Sequence, residues 1–382
     1  MIDKDEVDAA LAAALEPVMV ETAADLERSV ADWLECDVIG IDTEFVRERT
    51  WRADLGLVQL SDGKKVWLVD PLKTGPLHAL ATLFEDPSIV KILHAPSEDL
   101  DVLLYTTGAV PKPLFDTQIA CAMLGESLQL GYHKTVEWLL DLTIDKGETR
   151  SNWLKRPLRP AQLHYAALDV CLLPMMYRQL MSRLEASDRN EWAQEDCNRL
   201  LAKALTPPAP ELSWKRIAGH NRLNGTELAI LQALASWREE EAERRNLARG
   251  FVIKDQALMT IATQQPDSLD ALSALDVWHP KAVLRNGHTL IAIIDRILDE
   301  GRIAEAPAML QLEHKKLMAD MRSWVQQQST KLDVEPALLA SKRQLEGLIL
   351  TANGEPLPER FLGWRNDVIT HKLAELKNAF DA

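Results

Sequence analysis

Val38-Ile39-Gly40-Ile41-Asp42-Thr43-Glu44-Phe45-Val46-Arg47 places two carboxylates two residues apart at the end of an apolar run. That spacing is the β-strand period, so Asp42 and Glu44 project from the same face of a sheet. Neighbouring carboxylates repel, and keeping both ionised is costly unless a cation sits between them. A hard divalent metal with oxygen ligands is the natural cation. The same acids also read as a strand end that simply meets water, and on this stretch alone the two readings weigh equally.

The flanking sequence lays out a mixed α/β domain. Residues 21–35 read as a short helix leading into the strand. Leu55–Leu60, Asp62-Gly63 and Val66–Val69 read as a hairpin, because Asp-Gly between apolar runs is a strong turn signal. A helix near 75–85 precedes a buried strand, Val90-Lys91-Ile92-Leu93. Ser97 is placed to cap a helix carrying Glu98, Asp99 and Asp101. A segment around Phe115-Asp116-Thr117-Gln118, a helix near 133–142 and a polar loop, Asp145–Asn152, follow. One long helix is expected from Pro160 through Tyr165, Asp169 and Met175 to Leu184. Hairpin strands followed by strands alternating with helices predict a mixed sheet with helices packed on it.

Thr206-Pro207-Pro208-Ala209-Pro210 is the clearest linker, and beyond it the chain reads as helical nearly throughout. Thr226 is placed to cap a helix whose Leu228, Leu231 and Ala235 share one face. Pro266-Asp267-Ser268 marks another helix start, and a further boundary lies near Glu300-Gly301. Ser236-Trp237, Val252 and Ala257-Leu258 are echoed by Ser323-Trp324, Val334 and Ala337-Leu338. The echo fits two diverged copies of one helical module, or chance similarity between helices.

At 382 residues, two or three domains are expected. With 47% hydrophobic and 26% charged residues, the composition is that of an ordinary soluble globular protein. The start, MIDKDEVDAALAAALEP, lacks a basic region ahead of an apolar core, so no signal peptide is expected. No apolar run is long enough to span a bilayer. Cys36, Cys121, Cys171 and Cys197 form no C-x-x-C pair, which argues against a zinc site and for reduced thiols in the cytoplasm. The formal net charge of −15 argues against tight non-specific DNA binding, while leaving room for basic patches or an acidic site neutralised by metal ions. The absence of a Walker A motif excludes a fused P-loop helicase.

Three further positions join the first pair. Tyr165 and Asp169, four apart on an expected helix, share one face. Asp99 lies in a first helical turn, where the macrodipole favours an anion. Asp42, Glu44, Asp99 and Asp169 together are suited to two hard cations ~4 Å apart, the arrangement used for in-line phosphodiester hydrolysis. Each acid taken singly reads as a solvated surface group; their order as a set points to a metal site.

Asp42-Thr43-Glu44, His94-Ala95-Pro96-Ser97-Glu98-Asp99-Leu100 and Tyr165-Ala166-Ala167-Leu168-Asp169 resemble the three exonuclease motifs of the DEDD superfamily. Five surrounding words resemble the bacterial ribonuclease D family across the first 200 residues: Asp42–Arg47, Leu55–Leu60, Ser97–Leu100, Asp116–Gln118 and Arg156–Leu158. Each is weak alone; five in order are specific. Residues 212–292 resemble the HRDC module (helicase and ribonuclease D C-terminal), and the final segment resembles its second, more diverged copy.

The resemblance implies an α/β catalytic domain over residues 1–205, with a ribonuclease H-like mixed sheet flanked by helices. A Pro-rich linker at 206–211 would follow, then two all-α domains, HRDC at 212–292 and HRDC-like at 303–382. The implied activity is 3′→5′ exoribonuclease, dependent on two divalent metal ions (Mg2+ or Mn2+). Its partners would be RNA with 3′-OH ends, tRNA precursors and other small structured RNAs, trimmed to nucleoside 5′-monophosphates. A cytoplasmic monomer with no membrane partner is expected. Asp42 would bridge both metals, Glu44 and Asp169 would complete the first site, and Asp99 would support the second. Tyr165 would position the attacking water; with a pKa of about 10 it is a poor base at neutral pH, so its role is orientation and hydrogen bonding.

Some superfamily members carry His one position earlier, and this chain has both, as His164-Tyr165. Around a helix Tyr165 lies ~40° and His164 ~140° from Asp169, which with the other words selects Tyr165. Glu98 and Asp101 compete with Asp99, which the motif selects. Pro96 stands where relatives often have a small residue such as glycine, and proline just before a helix is compatible with the fold.

Lys146, Arg150, Arg156 and Arg159 surround the loop before the catalytic helix and are candidates for RNA phosphate contact, against a solvated loop with a structural arginine. Lys215, Arg216, Arg222, Arg244, Arg245 and Arg249 form a candidate basic face. Glu239, Glu240, Glu241 and Glu243 lie among them, and such charge-rich helices are usually just solvated. Trp51 and Trp153 are candidates for base stacking or for core. The alternatives are a DNA exonuclease of the same superfamily, because contacts to the 2′-OH choose the sugar, and a catalytically silent RNA-binding scaffold.

Overall fold

The computed structural model describes residues 4–144, 147–148, 151–206, 209–352 and 354–381. Six strands form one sheet: β1 (Val18–Val20), β2 (Val38–Val46), β3 (Asp54–Ser61), β4 (Val66–Val69), β5 (Val90–Leu93) and β6 (Leu114–Asp116). Their order is β1-β4-β3-β2-β5-β6, so the acid-bearing strand is interior. β3 and β4 pair antiparallel, with Val58 opposite Val69 and Ser61 opposite Val66. The Asp62 carboxylate closes their turn by accepting from the Lys64 and Lys65 N–H groups at 2.7 Å, and Gly63 takes the positive φ that the turn needs. β2, β5 and β6 run parallel, and the helix Ser97–Thr107 crosses from β5 to β6.

Three local expectations are corrected. The helix expected from Pro160 to Leu184 is two helices, Pro160–Cys171 and Leu173–Ala186. Pro174 has no N–H for the Val170 carbonyl and its ring crowds that carbonyl, so the helix breaks at Leu172. The break lies against β2: a Cβ on Gly40 would stand 2.8 Å from the Leu173 Cβ and 3.1 Å from the Val170 oxygen. Ser97 is the first helical residue rather than a cap, and Pro96 in the cap position makes no side-chain bond. Asn224, not Thr226, caps the Gly225–Arg244 helix; its Oδ1 accepts from the Glu227 N–H, and Glu227 accepts in return from the Asn224 N–H, both at 3.0 Å.

The chain divides into two compact units. The first comprises residues 1–46, 55–205 and 309–382, and one apolar cluster runs through it. Val7 and Ala10 of the Lys4–Leu15 helix share that cluster with Ala166 and Val170, and with Met321, Phe361 and Leu373 near the C-terminus. The second unit comprises 47–54 and 206–308, with its own core of Trp214, Leu228, Leu231, Ile261 and Leu290. Residues 207–208 of the expected linker lie outside the described residues.

The echo in the sequence has a structural counterpart. Gly225–Arg244, Arg249–Val252 and Asp255–Gln264 follow one another as long helix, single turn and medium helix. His314–Leu332, Pro336–Leu339 and Lys342–Leu350 repeat that succession. Among the described residues, no helix is long and apolar enough to cross a membrane.

Candidate active site

The end of β2 and the Pro160–Cys171 helix deliver their acids to one point. Asp42, Glu44 and Asp169 each offer a carboxylate oxygen, all within 4.8 Å of one another. Asp99 joins them from the first turn of the Ser97–Thr107 helix, and the Thr43 hydroxyl between the two strand acids donates to its carboxylate. Burial and the charges of Asp99, Asp169 and Glu44 hold Asp42 well above the usual carboxylate range. Burial, then Asp169 and Asp99, push Glu44 up to about 9. Burial also raises Asp169 to about 7 and Asp99 to about 6, against hydrogen bonds from Tyr165 and Thr43 respectively. Four crowded acids cannot all remain ionised alone. A divalent cation would replace their repulsion with attraction, and carboxylate oxygens are its preferred hard ligands.

Tyr165 and His164 part company in the structure. The Tyr165 hydroxyl bonds Asp169, and its own pKa is raised by burial and by the Asp169 and Glu44 charges. His164 donates instead from Nδ1 to the Ala14 carbonyl at 3.2 Å, on the Lys4–Leu15 helix.

Two supporting residues carried no assigned role in the sequence reading. Asp116 accepts from the Ala95 N–H at 2.9 Å and the Gln118 N–H at 2.8 Å, and burial raises it to about 6. It thereby fixes Ala95, whose φ of 55° turns the chain into the helix bearing Asp99. His94 sits between the Thr117 hydroxyl at 2.7 Å and the Leu130 carbonyl at 2.9 Å, and burial pulls it down to about 4. The Asp116 bond to Gln118 is a local helix cap, whereas its bond to Ala95 and both His94 partners are distant along the chain and leave no local signal.

Arg156, expected to hold phosphate, is committed elsewhere. Nε and Nη2 bond the two oxygens of buried Asp70 at 2.7 and 2.8 Å. The remaining donors reach the carbonyls of Gly56, Trp153 and Lys155. All five guanidinium N–H groups are therefore used inside the protein, and the structural alternative holds. Arg159 pairs with Glu148 and stays largely exposed, whereas Lys146 and Arg150 lie outside the described residues. Trp153 is core, 2% exposed and 6.2 Å from the Tyr165 ring. Of the candidate basic face, Arg244 and Arg245 pair with Glu241 and Arg249 with Glu239. The Arg249 guanidinium also lies 4.1 Å over Trp51, while Lys215, Arg216 and Arg222 are exposed.

This fold and cluster agree with the matching family models: 3′-5′ exonuclease over residues 17–185, HRDC domain over 227–294, and the C-terminal HRDC domain of ribonuclease D over 313–373. Ribonuclease D of Pseudomonas paraeruginosa (strain DSM 24068 / PA7) is 38% identical over 352 residues, 90% of this chain and 93% of its own length. Ribonuclease D of Escherichia coli (strain K12) is 36% identical over 346 residues, 88% of this chain and 92% of its own. The crystal structure of Escherichia coli RNase D, described as an exoribonuclease involved in structured RNA processing, superposes with a TM-score of 0.89 at 34% identity, covering 95% of this chain and 99% of that one. The catalytic core of RRP6 from Trypanosoma brucei superposes at 0.58, with 25% identity over 74% of this chain and 80% of that one. The molecule is thus a 3′→5′ exoribonuclease, with an exonuclease domain followed by helical HRDC domains. The chain belongs to the ribonuclease D family. Divalent-metal dependence follows from that family, and the acidic cluster suits it.

Proposed function

We propose that this chain trims the 3′ ends of tRNA precursors and other small structured RNAs in the cytoplasm, as a monomer, using two Mg2+ or Mn2+ ions. The observation that carries the reading is the convergence of Asp42, Glu44 and Asp169 within 4.8 Å, with Asp99 and Tyr165 at the same point. The structured-RNA processing named for the Escherichia coli relative supports the substrate class. Residues 1–205 would form the exonuclease domain, 206–211 the linker, and 212–292 and 303–382 the two HRDC modules.

Asp42 would be shared by both cations, Glu44 and Asp169 would complete one site, and Asp99 would serve the other. When bound, the ions supply Lewis acidity toward the attacking water and the leaving 3′ oxygen. Tyr165 keeps its proton, because a phenol with an ordinary pKa of about 10 is not ionised at neutral pH. It orients the water while its hydroxyl is anchored on Asp169. The water attacks the terminal phosphorus, the P–O3′ bond breaks, and a nucleoside 5′-monophosphate leaves an RNA one residue shorter with a free 3′-OH. Lys146 and Arg150 are proposed phosphate contacts.

A 5′-labelled RNA and a matching DNA, incubated with wild type and Asp42→Asn in Mg2+ or EDTA, test the reading. The expected result is a metal-dependent ladder from the 3′ end of the RNA, absent in the mutant. Equal or faster loss of DNA would reassign the substrate, and bound but uncut RNA would leave a scaffold.

A further inference from the structure

A cavity of ≈ 270 Å³ lies beside the Asn190–Leu205 helix in the first unit, lined by none of the four clustered acids. Ile119, Leu128 and Leu338 line it with apolar surface; Arg199, Lys203 and Arg360 line it with positive charge. The charge is poorly matched. Asp196, on the lining, has both oxygens taken by buried Arg365 at 2.7 Å. Arg199 pairs with Glu195 at 2.6 Å. Arg360 approaches Asp196 only at 3.5 Å, places Nη2 3.1 Å from the Leu338 carbonyl, and leaves its buried Nε–H without a partner. Burial and the positive charges of Arg365 and Arg199 pull the Arg360 guanidinium down to about 10. Lys203 is exposed on the lining.

A half-buried guanidinium whose nearest carboxylate is already held by Arg365 is stabilised by an incoming anion. Inorganic phosphate would satisfy Arg360 and Lys203 but leave the apolar surface uncovered. A nucleotide offers a phosphate for the cations and a flat base or sugar for the apolar wall. We propose that this cavity is a nucleotide-binding site separate from the acidic cluster, with phosphate on Arg360 and Lys203 and the nucleoside against Ile119, Leu128 and Leu338. The occupant is a nucleoside monophosphate, either free or as one residue of an RNA strand; the same groups recognise both.

The test measures AMP binding to the full chain by calorimetry with Mg2+ and with EDTA, and binding of a short RNA by fluorescence anisotropy in EDTA. Lys203→Glu changes an exposed side chain and should fold as wild type. It is expected to weaken binding by at least about tenfold, the loss of one charge-assisted contact. Photolysis with 8-azido-AMP in EDTA should label peptides spanning 118–128 or 196–203, and Asp42→Asn should label equally. Tighter binding of AMP identifies the free nucleotide as occupant, and tighter binding of RNA identifies the strand. Identical affinities in wild type and Lys203→Glu, labelling confined to peptides around Asp42 and Asp169, or no binding of either ligand at millimolar concentration would overturn the proposal.

Discussion

Arg365 holds Asp196 through two N–H···O bonds of 2.7 Å, with the arginine side chain 0% and the aspartate 7% exposed. The pair ties the Asn190–Leu205 helix to the last helical segment, and Trp192 stacks on Trp364 beside it with centroids 4.5 Å apart. Removing Arg365 leaves buried Asp196 with only Arg360 at 3.5 Å and Arg199 at 4.0 Å as counter-charge, at a cost approaching about 3–5 kcal/mol. Arg365→Met should lose that much stability, and Arg365→Met with Asp196→Leu should lose less than the sum of the singles. Urea denaturation in a double-mutant cycle reads the difference; strict additivity would reduce the contact to packing.

Arg156 and Asp70 make the same argument about a residue expected to touch RNA. The Asp70 side chain is 2% exposed and depends on Arg156 for its counter-charge. Arg156→Ala should destabilise the protein by about 3–5 kcal/mol, with KM for RNA unchanged at a temperature where the variant is folded. A raised KM with unaltered denaturation would return Arg156 to substrate contact.

The metal-free acidic cluster sets a pH dependence. Glu44 at about 9, Asp169 at about 7 and Asp99 at about 6 lie above their ordinary values of 4.5, 3.8 and 3.8. The folded state therefore binds more protons than the unfolded one between those limits, and stability falls as pH rises. In EDTA the contribution is fully present below pH 3.8 and is lost progressively as pH rises toward 9. Asp42→Asn should flatten this slope, and Mg2+ should oppose it. Melting temperatures across that range, in EDTA and in Mg2+, provide the check; a metal-free slope of opposite sign would refute it.

Tyr165 and His164 separate by their partners. Tyr165→Phe removes the hydroxyl on Asp169 and should lower kcat by about 10²–10³, the scale of losing one oriented polar group at a reacting centre. His164→Ala removes only the bond to Ala14, so its kcat should stay near wild type. Single-turnover rates on the labelled RNA decide the matter, and the reverse pattern would exchange the two roles.

What the sequence disclosed followed the range of the interaction. The Asp42/Glu44 strand and the Asp62-Gly63 hairpin were legible because alternation and turn chemistry act within a few residues. The break at Leu172 was missed although Pro174 signals it, because the apolar and acidic spacing continued smoothly across it. Asn224 and Glu227 carried a readable capping box that Thr226 obscured. The choice between the two readings of Arg156 was not legible for a different reason: Asp70 stands 86 residues away, and no local pattern links them. The role of Asp116 in holding Ala95 is likewise a tertiary contact.

Asp196 and Arg365 are 169 residues apart, with the whole of residues 206–308 folding into a separate unit between them. During synthesis, at ~5–20 residues per second, Arg365 emerges on the order of ten seconds or more after Asp196. The middle module can therefore close its core while the catalytic unit still waits for Phe361, Trp364 and Leu373. Order along the chain and order of completion therefore differ: the unit encoded between has all its residues in hand before the active-site unit receives Arg365.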